Sequence, residues 1–426
     1  MLRSLCRFML PTARGKVVVI AGTTGVGKSQ LSIQLAKRFN GEVINSDSMQ
    51  VYKGIPIITN KHPIDEREGI AHHVINHVNW TEEYYLHRFE EECIKAVEDI
   101  HQRGKLAIIV GGTHYYLQVL FNKHIRSHER ELTMEERDLL NSGNPELIYN
   151  TLKTHDPDIA AKFHPHDTRR VQRMLEIYYE TGKKPSQTYA DQKTSLRYDT
   201  LFLWLYSDPL PLEQRLDQRV DSMLTLGAMD EIKELYAYFQ RSNYRFEQCE
   251  NGIWQVIGFK EFFPWLLNEN NVQLEEGIER MKIRTRQYAR KQIKWIKKML
   301  VPDVGGKVYV LDASDLSKWD DNVLVRSTTI TQQFIQDRPI QEVRAPERLI
   351  SLLEYKKSED ENKRVLQQHV CNVCYDQKGH ALIAIGENNW QVHLKSRRHR
   401  SNLAKGARKA AYERWQEKKK DREDAK

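Results

Sequence analysis

The chain of 426 residues carries 66 Lys and Arg against 58 Asp and Glu, a formal charge of +8, and is 40% hydrophobic. That supports packed cores in about two to three domains, while the absence of any run of about 18 apolar residues excludes a membrane-spanning helix. Of five cysteines only Cys371 and Cys374 lie close together, so a secreted disulfide scaffold is excluded and a reducing compartment favoured.

The first sixteen residues hold no acid, and Leu2, Leu5 and Met9 would share one side of a helix with Arg3 and Arg7 on another. Residues 1–15 are therefore expected to act as a mitochondrial targeting segment, with Met9 as a second start that discards most of it. The expected locations are cytoplasm and mitochondrion, with the nucleus as a further option.

Val17–Ala21 predicts a buried strand and Ser29–Phe39 the helix that follows it. Between them Gly22, Thr23, Thr24, Gly25, Val26, Gly27, Lys28 and Ser29 fit the pattern G-x-x-x-x-G-K-[ST]. Such a turn offers backbone N–H groups at a helix N-terminus, Lys28 as a point charge, and Ser29 as a ligand for Mg2+. The spacing specifies phosphate without choosing between a nucleoside triphosphate and another diphosphate.

Gly41–Tyr52 predicts a short strand ending in polar residues with Asp47 among them, Tyr84–Arg103 a helix, and Lys105–Val110 another buried strand. Hydrolases and many kinases place a Mg2+-binding acid after such a strand. Here Gly111, Gly112 and Thr113 follow instead, which weakens the hydrolase reading and leaves Asp47 as a base or an outer ligand of the metal. The alternation predicts an α/β fold, a P-loop core on a parallel sheet covered on both faces. Its ligand should sit at the carboxyl ends of the strands, where the Gly22–Ser29 loop, Asp47 and Thr113 converge.

Residues 16–121 form the first part of this core, and 122–198 are expected to be a helical insertion of short polar helices. The sheet resumes at Thr200–Asp208, and 199–345 complete the core with mostly helical structure to Leu300. Met281–Met299 holds eight Lys or Arg and no acid. At helical spacing Ala289, Ile293, Ile296 and Leu300 face a core, while Arg286, Arg290 and Lys294 form a stripe suited to an RNA backbone.

A linker is expected over 346–366 and a small finger over 367–403. Cys371, Cys374, His393 and His399 are spaced C-x2-C-x18-H-x5-H, a donor set for a closed tetrahedral Zn2+ site. The central spacer exceeds the usual range of about 12–15 residues, so an extended hairpin is needed, and His369 and His380 are rival ligands. The basic tail, 404–426, closes the chain. Gln391–Lys426 holds 13 Lys and Arg against 5 Asp and Glu and so carries the whole net charge; such a tail suits nucleic acid or is simply solvated.

The segments GTTGVGKS, INSDSMQVY, VGGTHYYL, RRVQRMLEIY, QRLDQRVDSMLTLGAMDEI and IGFKE occur in the order and spacing of tRNA dimethylallyltransferases. The chain from about Lys16 to Leu300 resembles a eukaryotic, fungal-type member of that family, and the finger resembles the matrin-type or U1-like fingers of its eukaryotic members. The resemblance implies that the loop grips dimethylallyl diphosphate and that a dimethylallyl group passes to the exocyclic amine of the adenosine 3′ of the anticodon. Asp47 matches the family's base, and Thr24 and Arg219 its diphosphate-side residues. Asp47, Ser48, Met49, Gln50 and Thr113, with Arg169, Arg170, Val171, Gln172 and Arg173 in the insertion, match positions that meet the tRNA, at its anticodon stem-loop. A monomer is expected. Prenylation of free adenine nucleotides, phosphoryl transfer from ATP and RNA binding by a degenerate loop are the competing readings. Phe259 stands where tyrosine is expected in many relatives.

Overall fold

The computed structural model describes residues 15–121, 130–191, 195–268, 272–354, 367–376 and 379–405, with 408, 412, 415 and 416 beyond them. The expected targeting segment, apart from Gly15, lies outside the described residues, as do 355–366 of the expected linker and most of the expected basic tail. The chain divides into two compact units, one of residues 1–123 with 194–357, the other of 124–193 with 358–426.

The first unit is a six-stranded parallel sheet. In chain order its strands are β1 (Lys16–Gly22), β2 (Gly41–Asn45), β3 (His72–His73), β4 (Leu106–Val110), β5 (Asp199–Tyr206) and β6 (Val308–Asp312), in the spatial order β3-β2-β4-β1-β5-β6. Every residue of β1 is buried, and its side chains alternate between two cores. Val17, Val19 and Ala21 join one with Phe202, Trp204 and Val310, whereas Val18 and Ile20 join the other with Ile108, Leu203 and Leu311. A strand with a core on each face has no solvent face, which is why it reads as a continuous apolar run.

Helix α1 (Lys28–Phe39) leaves the β1 loop, and α2 (Leu86–Gln102) precedes β4. In the second unit, α3 (Met134–Leu140) starts with a capping box between Thr133 and Glu136, and α4 (Pro145–His155) with Asn144 as cap and Pro145 at its first turn. Next come α5 (Pro157–Ala160), α6 (Thr168–Thr181) and α7 (Pro185–Asp191). Ile148 and Leu152 of α4 pack with Val171 and Leu175 of α6 in a core of their own.

Returning to the first unit, α8 (Pro209–Thr225) buries Leu212, Leu216, Val220 and Met223, and is followed by α9 (Ala228–Arg241), α10 (Phe259–Leu267) and α11 (Leu274–Trp295). Phe259 is fully buried against Trp254 and Phe263, so its ring belongs to core packing. The first residues of the linker expected over 346–366 belong to the core instead. Leu349 and Leu352 are buried in the first unit's core, and Arg348 pairs with Asp208 at 2.9 Å and with Asp312.

In the second unit, β7 (Gln368–Tyr375) and β8 (Ala381–Ile385) form an antiparallel hairpin, followed by a helix at Glu387–Leu394 and another over 397–405. The hairpin and first helix fill the long spacer between the cysteine and histidine pairs.

Candidate active site

At the carboxyl end of β1 the chain turns through Gly22–Gly27 into α1. Gly27 has φ 91°, and a Cβ there would lie 2.6 Å from the Trp319 ring, so only glycine lets the loop sit this close to its neighbour. Gly111 serves a similar end: a Cβ would meet the Ser46 carbonyl at 2.2 Å. The ends of β2 and β4 can therefore close together, with Ser46 N donating to Val110 O at 2.7 Å and Thr113 N to Ser46 O at 3.1 Å.

That closeness places Asp47 beside the loop. Met49 N donates to Asp47 Oδ1 at 3.0 Å, and Asn45 Oδ1 accepts from Asp47 N at 3.1 Å, so the carboxylate is aimed by its own turn. Ser48 N donates to Thr113 Oγ1 at 3.0 Å. From across the cleft Arg219, on α8, donates to Thr24 Oγ1 at 2.8 Å. On α11, Gln292 accepts from Thr24 N at 2.8 Å and donates to Gly112 O at 2.7 Å, and Tyr288 Oη donates to Gly112 O at 3.3 Å. Around these elements lies a cavity of about 210 Å³ whose lining includes polar Thr24, Asp47, Arg219 and Tyr288 and apolar Ile58, Val220, Met223, Val256 and Met281.

Burial dominates the electrostatics. It pushes the Lys28 ammonium down to about 8, against the pull of Asp47 and with help from Arg219. The Arg219 guanidinium is pushed down to about 10 for the same reason, Asp47 opposing. The Asp47 carboxyl is raised by burial, although the Met49 N–H and Lys28 pull the other way. Among the described residues no carboxylate lies within ion-pair distance of Lys28 or Arg219, and the Arg219 Nε and Thr23 Oγ1 have no partner. Two buried cations without a counter-anion are costly unless a ligand supplies the charge. The cavity is built for a compact polyanion at one end and an apolar group beside it.

The profile of the IPP transferase family matches residues 50–299. The chain belongs to the IPP transferase family. It is 62% identical over 413 residues to the tRNA dimethylallyltransferase of Saccharomyces cerevisiae, covering 95% of this chain and 96% of that protein. To the human tRNA dimethylallyltransferase it is 36% identical, covering 92% and 86%. A solved structure of a eukaryotic dimethylallyltransferase acting on tRNA matches with a TM-score of 0.84 and 61% identity over 94% of this chain and 99% of that one. The tRNA isopentenylpyrophosphate transferase of Bacillus halodurans matches at 0.54 and 31% over 76% and 98%. Within this IPP transferase fold the loop, Asp47, Thr113 and Arg219 converge, as the sequence leads one to expect.

Other expected site residues are placed differently. Val26 is fully buried in the core and can offer a ligand only its backbone, and the Thr24 N–H is already engaged by Gln292. Gln50 donates its amide to the carbonyls of Asn60 at 2.9 Å and Thr59 at 3.3 Å, bracing a loop. On α6, Val171 is fully buried and Gln172 donates to Leu140 O at 2.6 Å, so neither presents its side chain to an RNA. Arg169 is exposed, Arg170 pairs with Asp167, and Arg173 with Glu176 at 3.0 Å. The basic stripe of α11 is also partly neutralised: Arg286 pairs with Asp217 at 2.5 Å and Arg290 with Glu213 at 2.6 Å, both acids coming from α8, while Lys294 is exposed.

Gln292 and Tyr288 escape a reading of the sequence because a basic helix hides them. Glu231 escapes it too: its carboxylate accepts from Ile57 N at 2.9 Å and Ile58 N at 2.8 Å, fixing the loop that forms one cavity wall.

The finger residues do come together. Cys371 Sγ lies 3.4 Å and Cys374 Sγ 3.7 Å from His399 Nδ1, which is 3.1 Å from His393 Nε2. Tetrahedral Zn–S and Zn–N bonds require ligand separations of about 3.3–3.8 Å, so this group could hold a metal. His369 stacks on Trp390 at 5.4 Å, and His380 lies against His166; neither belongs to the four.

Proposed function

We propose that this chain is a tRNA dimethylallyltransferase, moving a dimethylallyl group from dimethylallyl diphosphate to the exocyclic amine of the adenosine 3′ of the anticodon and releasing diphosphate. The observation that carries it is a cavity lined by Arg219, by the carboxyl of Asp47 and by an apolar wall, beside the phosphate loop that holds Lys28, with neither buried cation in an ion pair among the described residues. The diphosphate lies against Lys28, the loop N–H groups, Thr24 and Arg219, and the five-carbon group against Val220, Met223 and Met281. As the amine nitrogen bonds to the allylic carbon, the C–O bond to diphosphate breaks and Asp47 takes the amine proton. A carboxyl raised by burial is a stronger base for that task. Preorganised donors at the departing oxygen lower the barrier.

Ser29, at the start of α1, would hold Mg2+ together with diphosphate oxygens and water, the sparse protein ligation usual for this ion; bound there, the ion would neutralise charge on the leaving group. The finger's four ligands would hold Zn2+ as a closed structural site. The exposed cations Arg169, Arg290 and Lys294 support a role in meeting RNA phosphates, and a splayed anticodon-loop base can reach the pocket at small cost. The acid-free start of the chain supports delivery to mitochondria as well as cytoplasm.

The test is incubation of purified protein with labelled dimethylallyl diphosphate and either tRNA or AMP, and separately with γ-labelled ATP. Label entering tRNA at the adenosine beside the anticodon is expected. Label entering only AMP, or phosphoryl transfer from ATP, would overturn the reading.

A further inference from the structure

His380, a rival for the finger site in the sequence, has a different partner. Its ring centroid lies 4.4 Å from that of His166, inclined at 64°, and its Nδ1 is 3.2 Å from Asp376 Oδ2. One ligating atom from each of His166, Asp376 and His380 lies within 4.8 Å of the other two. We propose that these three residues form a second metal site, for a zinc-class divalent transition ion, which staples the finger hairpin to the helical segment of the same unit.

Two of the ligands are already held to each other: Asp376 N donates to His380 O at 2.8 Å and His380 N to Asp376 Oδ1 at 2.9 Å. On the other side, His166 N donates to His164 Nδ1 at 3.1 Å, which fixes the backbone that carries the third. Nitrogen and oxygen atoms sharing one tetrahedral ion lie about 3.2–3.5 Å apart; the His380–Asp376 pair already has that spacing, and with all separations within 4.8 Å a small side-chain shift of His166 completes the set. His164, His166 and His380 form a chain of rings with centroids 5.3 and 4.4 Å apart, which brings His166 against the hairpin residue.

Two imidazoles and one carboxylate favour Zn2+, Co2+, Ni2+ or Cu2+ over Mg2+ or Ca2+, which prefer all-oxygen cages. His380 and Asp376 are exposed, so the fourth position faces solvent and takes water. The ligands come from segments more than 200 residues apart in sequence, so occupancy restrains the hairpin against the helices around His166. The site is open and has no thiolate, which makes it weaker than the finger site and easily stripped by a mild chelator.

The test uses the full chain. After mild chelation leaves the finger loaded, Zn2+ and then Ni2+ are titrated by calorimetry, with metal content read by mass spectrometry. One further equivalent is expected for each ion, unaffected by millimolar Mg2+. His166→Ala and His380→Ala should each abolish it while the cysteine-bound ion stays, and Asp376→Asn should weaken it by about tenfold. With Co2+, the added equivalent should lack the sulfur charge-transfer band of the cysteine site. No additional equivalent in the wild-type chain, or one that survives both histidine variants, would overturn the proposal.

Discussion

Arg219 donates to Thr24 Oγ1 at 2.8 Å, tying α8 to the phosphate loop, and among the described residues neither Arg219 nor Lys28 has a carboxylate at ion-pair distance, Asp47 acting on both only from further off. The ligand-free protein thus holds two buried cations in readiness for an anion. Lys28→Met should abolish transfer yet stabilise the ligand-free chain. The drop of the Lys28 pKa from 10.5 to about 8 corresponds to about 3–4 kcal/mol at neutral pH, or roughly 6 °C in Tm for a unit of this size. A lowered amine pKa destabilises fully below pH 8, and the penalty fades as pH rises toward 10.5. The Tm gap between variant and wild type should therefore shrink across that range in calorimetric scans.

The same shift predicts proton uptake on donor binding. Diphosphate beside Lys28 favours the charged amine and raises its pKa above the free value of about 8. Between the two values binding must take up a proton, so donor affinity falls as pH climbs past 8. Calorimetry at pH 8.5 in buffers of differing ionisation enthalpy should show up to about three-quarters of a proton gained, and none in Lys28→Met.

Asp47 should set the acid limb of the reaction. Its carboxyl is raised by burial, and only the ionised form accepts the amine proton. Single-turnover rates should fall as pH drops through one ionisation lying above the ordinary aspartate range. Asp47→Asn, close to isosteric, should lower the rate by about 100-fold or more with donor binding retained. A variant that binds both reactants and runs at the wild-type rate would remove Asp47 from the chemistry.

Much of this site could be read from the sequence because backbone geometry constrains composition. A strand with a core on each side must be an apolar run, and a turn residue whose Cβ would lie 2.6 Å from the Trp319 ring must be glycine. Side-chain partners chosen from distant segments leave no such mark. Nothing in Met281–Met299 announces that Asp217 and Glu213 will neutralise its arginines. Val171 was legible, since with Met174 and Leu175 it keeps the i, i+3, i+4 spacing of a buried face, although it sits in a run with arginines on both sides. Leu349 and Leu352 were hidden by the charged residues around them.

The finger is expected to add RNA affinity and leave chemistry alone. Every residue lining the cavity lies in the first unit, whereas the finger carries the exposed Arg397, Arg398 and Arg400. Deleting residues 370–426 should raise KM for tRNA by about tenfold at physiological salt and flatten its salt dependence. The single-turnover rate at saturating tRNA should be kept; its collapse would place the finger in the reaction itself.

Gln292 provides the sharpest test of how the cavity is held. One amide spans the Thr24 N–H of the phosphate loop and the Gly112 carbonyl at the end of β4, so it fixes the distance between the diphosphate end and the turn next to Asp47. Gln292→Leu keeps the bulk but leaves the Thr24 N–H unpaired and Gly112 O with only the longer bond from Tyr288, which should cost about 1–3 kcal/mol of stability. Gln292→Glu can still accept from Thr24 N but cannot donate to Gly112 O, and it adds negative charge beside the phosphate loop. Its KM for dimethylallyl diphosphate should rise by about tenfold or more, with a smaller change in kcat. A purely structural role would lower Tm in both variants equally and leave the donor KM alone, so the split between the two constants decides whether this glutamine positions the loop for the donor.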